Sequence, residues 1–205
     1  AYETSKTVLT GLGHKLIEVD FSELSSGICS YYVIAPAECS SNLSRFDGVK
    51  YGYRSEGEKD IANLYMNTRS DGFGDEVKKR ILIGTHVLSA GFYDAYYLQA
   101  QKVRRMIKVK FEDFFKDVDL IFMPTTLDQA FEKNRKSDDP NRMYKEDLLT
   151  IPANLAGLPA ISFPNGFKNN LPIGGQLIGK YFGEDLLLNT TNKIQEVTDW
   201  HKMTP

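Results

Sequence analysis

The chain has 205 residues, of which 41% are hydrophobic, 25 are basic and 27 are acidic. A domain of this length buries about 70% of the surface of its unfolded chain, so one sizeable hydrophobic core is expected. The formal charge of -2 excludes a global positive field that would draw the chain onto nucleic acid or an anionic membrane. A contact with RNA would therefore be local, or made by a partner protein.

Two cysteines, Cys29 and Cys39, fall in one predicted helix, where about 15 Å would separate them, too far for a disulfide. Reduced thiols in a cytosol-like compartment are expected. The cysteines and the three isolated histidines lack the spacing of a metal site. No apolar run approaches the ~18 residues of a membrane span, and the first residues do not resemble a signal peptide. We interpret the missing initiator Met as a truncated start.

The amino-terminal residues are typical of the end of a helix, followed by a break and by a short strand at Leu16–Val19, where apolar side chains alternate. Apolar residues spaced by three or four then predict a series of helices, the first with a kink or restart at Pro36. The predicted helices span residues 29–44, 58–69, 75–90 and 93–116.

Continuous apolar runs predict buried strands at Val118–Met123 and Ala160–Phe163, each ended by a proline. A third strand is predicted at Ile173–Ile178 and a last amphipathic helix at Asp185–Val197. The alternation of strands with helices predicts an α/β fold. The most polar stretch, residues 127–142, is predicted to be a surface excursion.

Polar residues follow two of the predicted strands, in Pro124-Thr125-Thr126 and Pro164-Asn165-Gly166. In open α/β sheets ligands bind beyond the carboxyl ends of strands, so these are candidate ligand-binding segments. Alternatively, these segments are ordinary turns, in which Pro, Thr and Asn are common.

A cluster of five cations in the longest predicted helix could bind a phosphate backbone. The alternative, which acidic neighbours favour, is a solvated face whose aliphatic stems cover the core. The cations are Lys102, Arg104, Arg105, Lys108 and Lys110. The sequence contains no phosphate-binding loop, dinucleotide fingerprint or G-x-S-x-G elbow.

Residues 29–54, CSYYVIAPAECSSNLSRFDGVKYGYR, closely resemble the amidase signature family, in particular its A subunits of tRNA-dependent amidotransferases. The resemblance continues in the same order through TRSDGFGDEVKKRILIGT (68–85), FYDAYYLQAQKVRRMI (92–107), DLIFMPTT (119–126), MYKEDLLTIPANLAGLPAISFP (143–164) and PIGGQLIGK (172–180). It implies that residues 1–205 are the carboxyl-terminal portion of a single amidase signature domain, with a mixed β-sheet flanked by helices.

The resemblance also implies an activity. Such enzymes hydrolyse glutamine and pass the ammonia to a tRNA-binding B subunit, which activates misacylated Glu-tRNA(Gln) with ATP and Mg2+; Asp-tRNA(Asn) is often a second substrate. A small C subunit completes the complex. The implied cofactors, ATP and Mg2+, belong to the partner subunit and none to this chain. The implied location is the bacterial cytoplasm or an organelle matrix, with no membrane partner.

Three residues are implied as substrate-binding. Arg80 would bind the α-carboxylate of glutamine, Asp147 would bind its α-ammonium group, and Tyr31 would line the pocket. The chemistry is suitable, because a free amino acid needs a cation and an anion, and Arg binds carboxylates through two donors at once. Alternatively, Arg80 is a solvated helix residue, and Asp147 caps a helix or forms a salt bridge.

The catalytic Lys-Ser-Ser constellation of the family is expected to be absent, because its serine lies in a glycine- and serine-rich tract that normally precedes these segments. Ser25-Ser26-Gly27 lacks the surrounding glycines that would build an oxyanion site. We therefore expect no catalytic residue in this chain and no acyl-enzyme formed by it alone. A smaller departure is Gly174-Gly175-Gln176, where relatives usually carry a bulky apolar residue before the glutamine.

Two other functions stay open. One is a stand-alone amidase signature hydrolase of another amide, which would not need both Arg80 and Asp147. The other is a non-catalytic interaction module that only binds a partner.

Overall fold

A computed structural model describes residues 1–57, 59–132 and 142–205 of the chain. The α-helices are α1 (Tyr2–Gly11), α2 (Gly27–Leu43), α3 (Ile61–Gly72), α4 (Asp75–Val87), α5 (Leu98–Asp117), α6 (Arg142–Glu146), α7 (Ile151–Ala156) and α8 (Glu184–Glu196). The strands are β1 (Leu120–Pro124), β2 (Ala160–Lys168) and β3 (Leu171–Gly179). Contacts divide the chain into two compact units, residues 1–28 with 104–205, and residues 29–103.

The first unit contains one sheet among its described residues, with the strand order β1-β3-β2. Both outer strands pair antiparallel with β3, so β1 and β2 run in the same direction and end at the same edge of the sheet. A register shift between Pro164 and Phe167 lets β2 continue past its proline. Asn169 and Asn170, both with positive φ, form the two-residue turn into β3.

Packing of α1 and α8 against the sheet forms the core of the first unit. The residues buried together are Leu9, Phe163, Leu177, Leu187 and Ile194. Helix α8 buries Leu187, Thr190, Thr191 and Ile194, which lie within two turns on one side of the helix, so its buried face is a single stripe. The core thus packs against the sheet, and the edge at which β1 and β2 end remains available for polar groups.

The second unit is helical, and α2 and α4 cross at very short range within it. A Cβ added at Gly84 on α4 would lie 1.9 Å from the carbonyl oxygen of Pro36 on α2. Beside this contact, the hydroxyls of Ser40 and Thr85 are 2.9 Å apart. Only glycine permits such an approach, so Gly84 sets the crossing of the two helices.

Most predicted elements are confirmed, including the α/β fold with helices flanking a sheet. The helices occur within a few residues of their predicted bounds, and α2 runs through Pro36 as one helix. Both cysteines lie on α2 and are free, as predicted. The predicted helix at residues 93–116 begins with a π-helical turn at Tyr93–Tyr97 before α5.

The predicted strand at Leu16–Val19 is wrong. These residues have no regular secondary structure, because no described strand pairs with them, and they line the same cavity of about 1010 Å³ as the residues of β1. The predicted excursion at residues 127–142 lies, from residue 133 to residue 141, outside the described residues. Over the described ranges, no helix is long and apolar enough to cross a membrane.

Candidate functional site

Arg80 and Tyr31, two of the predicted substrate-binding residues, lie side by side in the second unit. Arg80 is on α4 and donates a hydrogen bond from Nε to Oε1 of Glu76, 3.1 Å away. This bond is the main cause that raises the pKa of Arg80, and a hydrogen bond with Tyr31 adds a smaller contribution. The side chain of Arg80 is 37% exposed. The guanidinium is therefore oriented by Glu76 and Tyr31 and still reaches solvent.

The close crossing at Gly84 explains why these two residues meet. Arg80 precedes Gly84 by one helical turn, and Tyr31 precedes Pro36 by five residues on α2. Because the backbones approach so closely at Gly84 and Pro36, side chains four residues away on α4 and five residues away on α2 come within hydrogen-bonding range. The ring of Tyr31 also packs edge-on against Tyr32, with centroids 5.1 Å apart. The crossing thus builds a cation beside an aromatic surface.

Asp147, the third predicted residue, belongs to the first unit and lies in the turn between α6 and α7. Its carbonyl accepts hydrogen bonds from the backbone N–H groups of Thr150 and Ile151, at 3.2 and 3.0 Å, and from the Thr150 hydroxyl at 3.2 Å. Its side chain is half-buried. The turn therefore holds the backbone of Asp147 through three bonds to one oxygen.

Gln176 joins this turn to the carboxyl end of β1. The side chain lies on the central strand β3 and is only 3% exposed. Its Nε2 donates to the carbonyl of Pro124 at 3.1 Å and to the carbonyl of Leu149 at 2.8 Å. A side-chain amide has two N–H donors on one nitrogen, and here both are used.

The edge where β1 and β2 end also carries a hydroxyl pair. Thr125 Oγ1 and Ser162 Oγ are 3.0 Å apart, and the Thr125 N–H donates to the carbonyl of Gly174 at 3.0 Å. A Cβ at Gly174 would lie 2.9 Å from Thr125 Oγ1, so this approach requires glycine. The first of the two predicted strand-end segments therefore presents polar groups at the sheet edge.

The second segment has a structural role. Asn165 is buried, and its side-chain oxygen accepts a hydrogen bond from Ser5 on α1. A Cβ at Gly175 would lie 3.0 Å from both Asn165 Cγ and the Phe122 ring. These two side chains leave no room for a larger residue, which accounts for glycine at position 175.

The cations of α5 mostly have partners in the described structure. Arg104 donates to the Leu155 carbonyl at 3.0 Å, and Lys108 lies 3.8 Å from Glu112 and over the Tyr181 ring. Lys110 lies over the ring of Phe114. These contacts favour the solvated, core-covering face over a phosphate-binding surface.

Gln176 and Ser162, two polar residues near the carboxyl end of β1, were not predicted as site residues from the sequence. In the sequence, Gln176 is notable only for the two glycines before it, and Ser162 lies inside a predicted buried strand. The strand register places them next to each other. Gln176 pairs with Met123 on one side and with Ser162 on the other, one residue from the carboxyl end of β1. A polar residue inside an otherwise apolar central strand is the feature that could have identified Gln176.

Comparison with known proteins agrees with this architecture. The sequence profile of the Amidase family matches residues 1–188. The A subunit of a glutamyl-tRNA(Gln) amidotransferase from Hahella chejuensis is 56% identical over 205 residues, which are 100% of this chain and 42% of that protein. The protein of the same name from Coxiella burnetii is 55% identical over 203 residues, 99% of this chain and 42% of that protein.

A solved structure extends the comparison to three dimensions. The crystal structure of the glutamyl-tRNA(Gln) amidotransferase A subunit from Thermotoga maritima matches with a TM-score of 0.71 and 38% identity, over 99% of this chain and 40% of that one. The chain thus spans about two fifths of the length of the relatives that it matches. Because the family profile covers nearly the whole sequence, this chain belongs to the Amidase family.

Proposed function

We propose that this chain is part of the glutaminase subunit of a glutamyl-tRNA(Gln) amidotransferase, which hydrolyses glutamine to supply ammonia for the conversion of Glu-tRNA(Gln) to Gln-tRNA(Gln). The observation that carries the proposal is 56% identity over the whole chain to a relative of that name. The paired Arg80 and Tyr31 support it, since they offer a cation and a phenol to a polar substrate.

In this proposal Arg80 binds the α-carboxylate of glutamine, Asp147 binds the α-ammonium group, and Tyr31 lines the pocket. Glu76 holds the Arg80 guanidinium from Nε, which leaves the terminal amino groups to face a carboxylate. Hydrogen bonds in the turn fix the backbone of Asp147, the residue that supplies the carboxylate. The two charges suit a zwitterionic amino acid better than a simple amide.

The covalent chemistry belongs to residues outside this sequence. A serine there attacks the carboxamide carbon, ammonia leaves, and water hydrolyses the resulting glutamyl ester to glutamate. We expect the 205-residue chain by itself to release no ammonia from glutamine, because it contains no glycine- and serine-rich tract.

The proposed partners are the tRNA-binding B subunit, which uses ATP and Mg2+, and the small C subunit. This chain itself holds no cofactor in the proposal. Because the acceptor is an aminoacyl-tRNA, the reaction would take place where translation occurs, in a bacterial cytoplasm or an organelle matrix.

The test is amidation of Glu-tRNA(Gln) by the intact enzyme that contains this sequence, with glutamine or with ammonium chloride as nitrogen donor. We expect glutamine-dependent Gln-tRNA(Gln) formation that requires the partner subunits and ATP. Hydrolysis of unrelated amides without amidation would instead identify a stand-alone hydrolase. Activity with ammonium only, in an intact protein that lacks the Lys and the serine tract, would identify a non-catalytic module.

A further inference from the structure

Gln176 connects two segments that are far apart in sequence. Its Nε2 donates to Pro124, the last residue of β1, and to Leu149, two residues after Asp147. The two accepting carbonyls are 25 residues apart, because they belong to positions 124 and 149. A single buried amide is therefore a direct bridge between the sheet edge and the turn that carries Asp147.

The bridge has a strict chemical requirement. Two carbonyl oxygens face one nitrogen, so the bridging group must have two donors and no negative charge. A glutamate at position 176 would place a carboxylate against two carbonyls, and a methionine would fill the same volume with no donor at all. Burial strengthens the requirement, since water does not readily replace a donor at a residue that is 3% exposed.

The turn that Gln176 contacts also contains hydrogen bonds of its own. The Asp147 carbonyl receives its bonds from Thr150 and Ile151, both within the same turn or the start of α7. These local bonds fix the shape of the turn, and the buried residues at the start of α7, Ile151 and Pro152, anchor its carboxyl end. The bond from Gln176 to Leu149 ties the turn directly to the sheet, because Gln176 lies on the central strand.

We propose that Gln176 is a positioning residue for the amino-acid substrate: it sets the place of the Asp147 carboxylate through Leu149, and so determines selectivity for substrates with an α-ammonium group. This inference rests on the proposed role of Asp147 in binding glutamine. It assigns Gln176 no contact with the substrate.

The experiment compares Gln176→Met, Asp147→Asn and the double variant in the intact amidotransferase. The substrates are glutamine and 4-carbamoylbutanoate, which has the same amide and carboxylate but no α-amino group. We expect Gln176→Met to raise KM for glutamine about tenfold with kcat unchanged, as expected when charge-assisted contacts are misplaced. KM for 4-carbamoylbutanoate should not change. Gln99→Met, on the exposed side of α5, is the matched control and should leave both KM values unchanged.

The double variant decides between positioning and general damage. If Gln176 acts through Asp147, adding Gln176→Met to Asp147→Asn causes no further rise in KM for glutamine. Equal losses on both substrates, a fall in kcat alone, or additive effects in the double variant would overturn the inference. If Gln176→Met prevents assembly, Gln176→Asn, which keeps both donors on a stem one methylene shorter, must give the same selective rise.

The same variants distinguish a failure of the proposed role of Asp147 from a failure of the role of Gln176. If Asp147→Asn itself does not change KM for glutamine, Asp147 does not bind the ammonium group, and both proposals fall. If Asp147→Asn raises KM and Gln176→Met does not, the role of Asp147 stands and only the positioning role is refuted.

Discussion

The Arg80 guanidinium and the Glu76 carboxylate form a 3.1 Å hydrogen bond along one face of α4. The pair follows the favourable order, with the acid one turn before the base. Its main consequence is orientation, because the raised pKa only keeps Arg80 protonated at every pH at which an enzyme works. The plane of the guanidinium is held from one side and is open to a ligand from another.

Arg80→Lys should raise KM for glutamine about tenfold in the intact enzyme, since lysine keeps the charge but loses the two-donor fork. Steady-state glutaminase kinetics measure the change. Lys78→Met is the matched control, because it removes a neighbouring charge on the same helix that pairs with Asp75, and it should leave KM unchanged. Equal effects of both variants would mean that the rise in KM is not specific to the two-donor fork of Arg80.

Gly84→Ala should destabilise the second unit by about 2 kcal/mol or more, although alanine is the better helix former by about 1 kcal/mol. The added Cβ would lie 1.9 Å from a backbone oxygen, so the helices must separate. Gly11→Ala, where nothing lies within 4 Å of the added Cβ, is the control and should be neutral or slightly stabilising. Urea unfolding followed by circular dichroism measures both. Similar midpoints for the two variants would refute the close crossing.

Adjacent leucines on α8 test the core of the first unit. Leu187 is 3% exposed and packs on Phe163 and Leu177, whereas Leu188 is 58% exposed. Leu187→Ala should therefore cost about 2–5 kcal/mol in unfolding free energy, and Leu188→Ala less than about 1 kcal/mol. The same unfolding measurement applies. Equal costs would show that α8 does not pack as described.

A pH dependence is expected from Asp60, the N-cap of α3. Its carboxylate accepts hydrogen bonds from the N–H groups of Asn63 and Ala62, and the bond from Asn63 is the main cause that lowers the pKa of Asp60. A lowered folded-state pKa means that the stabilisation is present above the unfolded value of about 3.9 and is lost as pH falls through the folded value. Asp60→Asn keeps a cap but cannot titrate.

The thermal midpoint of the wild type minus that of Asp60→Asn should therefore be constant from pH 7 to pH 5. It should fall below about pH 4, as the wild-type carboxylate becomes protonated. Measurement of both proteins over this range is sufficient. A difference that stays constant down to pH 2.5 would contradict the capping role.

The helices were predictable because the helical spacing of apolar residues is visible in a single sequence. In α8 the residues with this spacing form the buried face of the helix. The full extent of β2 was not predictable, because proline usually ends a strand. Here Pro164 stays paired with Gly174, and the register shift falls after it, before Phe167. The residues Leu16–Val19 fit a two-residue period, with Leu16 and Glu18 against Ile17 and Val19, yet no described strand pairs with them. Strand formation depends on a partner, which local pattern does not contain.

The candidate site was less predictable than the fold. The family resemblance indicated Arg80, Tyr31 and Asp147, but the contact of Arg80 with Tyr31 depends on the helix crossing at Gly84. The bridge made by Gln176 depends on three segments that meet only in the folded chain. Neither relationship has a periodic or compositional signature.

The central claim, that Arg80 and Asp147 recognise the two α-groups of glutamine, is tested most directly by substrate preference. The intact enzyme and its Arg80→Met and Asp147→Asn variants are given glutamine, 4-carbamoylbutanoate without the amino group, and 4-aminobutanamide without the carboxylate. Arg80→Met should reduce the preference in kcat/KM for glutamine over 4-aminobutanamide by roughly 10- to 100-fold, and Asp147→Asn should do the same for glutamine over 4-carbamoylbutanoate. Each variant should keep the other preference. Wild-type preferences in both variants would contradict the claim.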